Sequence, residues 1–192
     1  MRICVYLGSS PGNSPVYREA AERVGTLLAE RGIGLVYGGG TVGLMGVIAD
    51  TVCAAGGEVI GVIPEALRAR EHDHPGITQL HVVKTMHERK AMMAKFADGF
   101  LCLPGGIGTL EEIFEAWCWS QLGYHEKPCG LLNVNGFYTP MSTFIDSVVA
   151  EGFLQPRHRA MLLIDNDPDI LLDRMAQYLP PQTEHWLGDD DV

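Results

Sequence analysis

"FLCLPGGIGTLEEIFEAW", residues 100 to 117, contains one whole structural unit. A short apolar run ends at Pro104, and glycines follow at 105, 106 and 108. Next comes a helical pattern with Leu110, Ile113, Phe114 and Trp117 on one apolar side. A strand that feeds a helix through a glycine turn is the repeating piece of a parallel sheet, since parallel neighbours need a crossover between them.

The same piece recurs in both directions along the chain. Strand-like runs at 3–8, 33–38, 58–63, 80–84, 99–104, 129–134 and 160–164 alternate with helical patterns at 14–31, 43–55, 86–97, 109–122, 137–152 and 168–178. Residues 64–80 contain a looser connection leading into the fourth strand. The strands are apolar almost throughout, which predicts a sheet covered on both faces. The expected fold is α/β: a doubly wound, mostly parallel sheet in a Rossmann-like three-layer sandwich. It should occupy residues 1–180 as one nucleotide-binding domain, with 181–192 a disordered tail.

Ligands in such folds sit beyond the carboxyl ends of the strands. Three glycine-rich turns fall there: Gly8-Ser9-Ser10, the stretch from Gly38 to Gly46 that includes Gly39 and Gly40, and Gly105 to Thr109. "PGGIGTLEE" reads as a phosphate cradle, in which backbone N–H groups and the Thr109 hydroxyl meet an anion at the positive end of a helix. "GGGTVG" at 38–43 matches the G-x-G-x-x-G spacing of a dinucleotide turn. The acid expected at the end of the following strand is missing, however, and the turn follows the second strand rather than the first. Tight helix–sheet packing is the competing account of these glycines. No G-x-x-x-x-G-K-[ST] occurs, which excludes a P-loop NTPase.

Two further stretches carry opposing readings. Thr109-x-x-Glu112 has the spacing of a capping box, in which the glutamate only closes the helix start. Against that, Glu111 and Glu112 lie off the apolar face, near the strand ends where a ligand would be. In "TMHERKAMMAKFA" (85–97), Met86, Arg89, Lys90, Met93 and Ala97 fall on one stripe. Snorkelling places basic residues in such stripes, but an Arg89 aimed at the cleft is a fork-shaped donor for phosphate or carboxylate.

Composition narrows the function. A formal charge of -10 argues against nonspecific nucleic-acid or anionic-membrane binding as the main role. No apolar run is long enough to span a membrane. The five cysteines form no C-x-x-C pair and read as reduced thiols of a cytoplasmic protein. His72, Asp73 and His74 read as a polar loop, and no metal site is expected.

"PGGIGTLEE", "MHERK" and "YGGGTVGLMG" together resemble the LONELY GUY family, the cytokinin riboside 5′-monophosphate phosphoribohydrolases, some of which carry the label "possible lysine decarboxylase". The resemblance runs from "GSSPG" to the helix near 178. It implies hydrolysis of the N-glycosidic bond of an N6-substituted adenosine 5′-monophosphate, or of AMP itself, without a cofactor. It implies that Arg89 and Glu112 are the catalytic pair. Lys90, Gly105, Gly106, Ile107, Gly108, Thr109, Leu110 and Glu111 match substrate-binding positions, and Glu71 matches an acidic residue near the base. Family members are homodimers or larger, with sites near the subunit interface. One position of the motif helix, often Thr in relatives, is Cys118 here. The decarboxylase label implies a pyridoxal phosphate lysine, for which Lys84, Lys90, Lys95 and Lys127 offer no recognisable setting. The alternative is a noncatalytic nucleotide or molybdenum-cofactor carrier on the same fold, which would need the glycine turns but not the Arg89–Glu112 pair.

Overall fold

The structure is a computed structural model that describes residues 1–181, the side chain of Arg70 excepted. Of the expected tail at 181–192, residues 182–192 lie outside the described residues. Seven strands form one sheet: β1 (Arg2–Tyr6), β2 (Gly34–Tyr37), β3 (Val59–Pro64), β4 (Gln79–Val83), β5 (Gly99–Cys102), β6 (Cys129–Leu132) and β7 (Leu162–Asp165). Their order is β4-β3-β2-β1-β5-β6-β7, and every pairing is parallel. The expected α/β sandwich is what the chain adopts.

The helices are α1 (Pro15–Glu30), α2 (Gly43–Ala54), α3 (Glu65–Glu71), α4 (Met86–Phe96), α5 (Ile107–Gln121), α6 (Thr139–Ala150), α7 (Pro156–Ala160) and α8 (Pro168–Ala176). Alternate strand residues face opposite layers. Ile3 and Val5 join one core with α1, α2 and α8, while Cys4 and Tyr6 join the other with α4 and α5. Both sides being buried explains why the strands read as unbroken apolar runs.

Growth of the sheet reverses beside β1. The chain adds β2, β3 and β4 outward on one side, then returns through α4 to place β5 on the other. Cys4 pairs with Val36 of β2 on one edge and with Phe100 of β5 on the other. The helices that follow β1 and β5 pack on opposite faces of the sheet, α1 on one and α5 on the other, which opens the crevice where such folds take ligands.

Three local expectations are corrected. The loose stretch contains α3, whose seven residues, EALRARE, are too polar and too short to show an apolar stripe. The last strand begins at Leu162 rather than 160, because Pro156–Ala160 form a short helix first. Helix α5 begins at Ile107, two residues before Thr109, and this shift changes the reading of the site.

Candidate active site

The three glycine turns meet at the point of reversal. Leu103 N–H donates to the Tyr6 carbonyl at 2.9 Å, Gly8 N–H to the Pro104 carbonyl at 3.1 Å, and Leu44 N–H to the Gly8 carbonyl at 3.0 Å. These bonds fix the β1 loop between the start of α2 and the β5 loop. They border a cavity of about 200 Å³ lined by Gly8, Ser9, Tyr17, Leu44, Gly106 and Phe137, among others.

Helix α5 opens onto this crevice. Its N-cap is Gly106, no side chain caps it, and its first turn contains no acid. The first N–H groups of a helix lack intrahelical partners, so those of Ile107, Gly108 and Thr109 form a patch of positive potential. A β-carbon added at Gly106 or Gly108 would meet nothing within 4 Å, and neither has a positive φ. Neither packing nor backbone strain asks for glycine at those two positions, and their bare backbone leaves room for the close approach of a ligand. Ile107 between them is 83% exposed, and Leu110 is half-buried.

Because the helix starts at Ile107, Thr109 is its third residue and not its cap. The capping-box reading of Glu112 is overturned. Glu112 sits in the second turn, half-buried, where its carboxyl is pushed up to about 7. Burial is the largest cause; Arg89 opposes it, Glu111 and Glu71 add to it, and Lys90 opposes it. A threonine-capped helix start with a reaching glutamate does exist, on α4. There Glu88 N–H donates to Thr85 Oγ1 at 3.1 Å, and Glu88 Oε2 accepts from Lys84 N–H at 2.8 Å.

Helix α4 carries the two basic residues inward, leaving Arg89 5% and Lys90 7% exposed. Arg89 Nη2 donates to the Gly38 carbonyl at 3.2 Å and stands 3.8 Å from Glu71 Oε2. Arg89 Nε and Glu71 Oε2 are buried and have no hydrogen-bond partner among the described residues. Gly38 is what admits the guanidinium, since a β-carbon there would lie 2.0 Å from Arg89 Nη2. Lys90 is placed differently, with Nζ 2.5 Å from Glu111 Oε1 and 2.9 Å from Glu115 Oε1.

Glu71 reaches the site from the end of α3. Thr41 N–H donates to the Glu71 carbonyl at 3.0 Å and to that of His72 at 2.9 Å, while Gly40 bridges to Asp73. The Gly39–Gly40 stretch therefore anchors the segment that presents Glu71. Asp73 and His74 turn away from each other, Asp73 toward Arg68 and His74 toward Asp50.

Gly38 and Glu115 were missed by sequence reasoning. Gly38 opens the glycine run that was singled out, and Glu115 is four residues beyond Glu111 on the same helix face, so both had a usable signal. A third, Tyr138, had none. Its hydroxyl donates to the Leu103 carbonyl at 2.7 Å and braces the β5 loop from beneath.

The family model described as "Possible lysine decarboxylase" matches residues 45–175. The cytokinin riboside 5′-monophosphate phosphoribohydrolase LOG of Oryza sativa subsp. japonica is 47% identical over 191 residues, covering 100% of this chain and 79% of that protein. The chain belongs to the LONELY GUY family of phosphoribohydrolases. A phosphoribohydrolase of Arabidopsis thaliana bearing the same description is 49% identical over 179 residues, 93% of this chain and 82% of that protein. The molybdenum cofactor binding protein of Rippkaea orientalis superposes with a TM-score of 0.68 at 21% identity, covering 92% of this chain and 95% of that one. That likeness concerns the fold alone. The decarboxylase description in the family's model finds no free buried amine among the described residues, because Lys90 is ion-paired and Lys127 donates to the Ala94 carbonyl at 2.8 Å.

Proposed function

We propose that the chain hydrolyses the N-glycosidic bond of adenosine 5′-monophosphate and its N6-substituted derivatives, releasing the free base and ribose 5-phosphate. The observation that carries this reading is the raised Glu112 carboxyl, on which the Arg89 guanidinium is the strongest opposing charge. Burial pushes the Glu112 carboxyl up to about 7, the charge of the buried Arg89 guanidinium opposes that shift, and both belong to the crevice that holds an uncapped helix start. A carrier needs the cradle but has no use for that pair.

The 5′-phosphate lies against the N–H groups of Gly106, Ile107, Gly108 and Thr109, with Gly105 and Leu110 framing the turn and Gly8 and Ser9 closing it from β1. As the bond from the ribose C1′ to the base nitrogen breaks, positive charge spreads over the ring. The Glu112 carboxylate stabilises that charge and takes a proton from water as its oxygen bonds to C1′. The departing base takes up one proton. Arg89 orients the carboxylate, Glu71 contacts the base, and Gly39 and Gly40 hold Glu71 in place. The reaction as written consumes only water.

An apolar groove of about 230 Å³ between α5 and α6, lined by Phe114, Trp117, Cys118, Phe144 and Phe153 among others, supports pairing of two or more copies. Sedimentation of the purified protein tests this. Among the described residues no helix is long and apolar enough to cross a membrane, and we place the enzyme in the cytoplasm.

The test is release of base and ribose 5-phosphate from AMP and from isopentenyladenosine monophosphate, followed chromatographically. Binding of AMP with no base released from any purine monophosphate would make the protein a carrier. Comparing the two substrates identifies which one the site prefers.

A further inference from the structure

The segment that presents Glu71 is strained at the residue that follows it. His72 stands at φ +50° and ψ 95°, whereas the left-handed well open to a non-glycine residue lies at ψ of about +47°. Such a backbone persists only where its surroundings over-determine it, and here they do. The turn ends α3 directly after Glu71 and returns the chain against the glycine turn that leaves β2. Thr41 closes on it twice, through the N–H bonds to the Glu71 and His72 carbonyls and through Oγ1, which donates to the His72 carbonyl at 3.0 Å. Arg68 of α3 reaches across the turn to Asp73 at 2.7 Å. His74 N–H donates to the Gly39 carbonyl at 3.0 Å, and its ring is buried. Nδ1 of that ring accepts from Gly76 N–H at 3.1 Å, which leaves the proton on Nε2 for donation to Asp50 Oδ1 of α2 at 3.0 Å. The approach is close: a β-carbon at Gly40 would lie 3.0 Å from the Glu71 carbonyl oxygen and 3.1 Å from its Cβ.

All of this fixes a side chain for which the fold supplies no partner. Glu71 Oε2 is buried with no hydrogen-bond partner among the described residues, and Arg89 Nη2, at 3.8 Å, is beyond hydrogen-bond reach. A carboxylate oxygen can only accept, so what it lacks is a donor. We infer that Thr41 and Asp50, acting through His72 and His74, are positioning residues that hold the Glu71 oxygen where it accepts a hydrogen bond from an N–H of the substrate's base. The inference rests on the proposed reading of Glu71 as a contact of the base, and it adds what keeps the carboxylate in place. Asp50 is separated from Glu71 by the His74 ring and its side chain is 75% exposed, so its influence on a ligand passes through this segment.

The test is titration calorimetry of the full chain carrying Glu112→Gln, so that hydrolysis does not intrude. The ligands are AMP and ribose 5-phosphate, which lacks the base. Thr41→Val deletes Oγ1 at nearly constant shape and keeps the N–H. It should weaken AMP about threefold, the scale of one net hydrogen bond, and leave ribose 5-phosphate unchanged. Asp50→Ala should do the same. Once Glu71→Ala is added, neither substitution should affect AMP, because no carboxylate remains to be placed. Equal weakening of AMP and ribose 5-phosphate would make the segment a general structural support and overturn the inference. An effect that persists in Glu71→Ala would make Thr41 a direct ligand and overturn it too, as would unaltered AMP affinity in both variants. If Thr41→Val does not fold, Asp50→Ala at the surface decides by the same readings. Binding does not require turnover, so wild type that binds AMP but releases no base rejects the hydrolase reading and leaves this one to be judged by calorimetry. A chain that binds no AMP, with or without Glu112→Gln, rejects both.

Discussion

Lys90 and Arg89 are consecutive buried cations on one helix, Lys90 paired with acids of α5 and Arg89 nearest to Glu71 of α3, and their surroundings differ in kind. Lys90 is closed on two carboxylates within 2.9 Å. Arg89 is fixed from behind by Gly38 and has its Nε unpartnered, while Glu112 has a carboxyl pushed up to about 7. A closed pair has its electrostatic energy already realised in the folded protein. An open pair holds it back for a charge that appears during reaction. On the proposed function, neighbouring residues separate a structural use of charge from a chemical one.

The largest effect should come from breaking the open side. Glu112→Gln is nearly isosteric and should lower kcat for AMP by about 10³-fold. Steady-state base release measures this, and a loss under tenfold would remove Glu112 from the chemistry.

Breaking the closed side should act on stability. Glu111 and Glu115 keep access to water when the cation is lost, so Lys90→Met should lower the unfolding free energy by about 1 kcal/mol in urea titration. An unchanged midpoint would mean that the pair contributes nothing to the fold.

The same Glu112→Gln protein should be harder to unfold, the reverse of what a helix cap would give. The folded-state pKa of Glu112 is raised to about 7 from an ordinary 4.5. The folded state then holds the proton more tightly than the unfolded chain. Its penalty is absent below about pH 4, grows as pH rises through 4.5 to 7, and is full above 7. The variant should therefore gain about 2 kcal/mol at pH 8 and almost nothing at pH 4. Thermal unfolding at both pH values checks this; a capping role predicts a loss at both.

How much of this contrast was legible in the sequence depends on distance. The strands and the glycine turns are local patterns, so the sheet and its crevice followed from them. Arg89 and Glu112 stood out through their spacing and family resemblance. The fate of Lys90 did not, because its ion pairs join α4 to α5 across 21 and 25 positions of chain. The function of Gly38 was hidden for the same reason, since its neighbour Arg89 is 51 positions away. The Thr109–Glu112 spacing misled because a capping box and a threonine inside the first turn look alike until the helix start is known. Here the start is set by Gly106, a residue that gives no side-chain signal of its own.

The last prediction concerns the ligand side of the open pair. Most glycines of the crevice are explained by the protein: Gly38 by Arg89, Gly43 by a φ of +57° and the Ser9 backbone. Gly108 is explained by neither, as it lies inside α5 with open space over it. Alanine at a helix position is favoured over glycine by roughly 0.5–1 kcal/mol. Gly108→Ala should therefore stabilise the protein by about that amount. If the phosphate rests on this turn, the added methyl also intrudes on it, and KM for AMP should rise about tenfold, near 1.4 kcal/mol of lost binding. Stability and affinity moving in opposite directions is the signature of a glycine kept for a ligand. Gly108→Ala that is both more stable and equally tight toward AMP would move the phosphate elsewhere in the crevice, toward the Gly8–Ser9 turn.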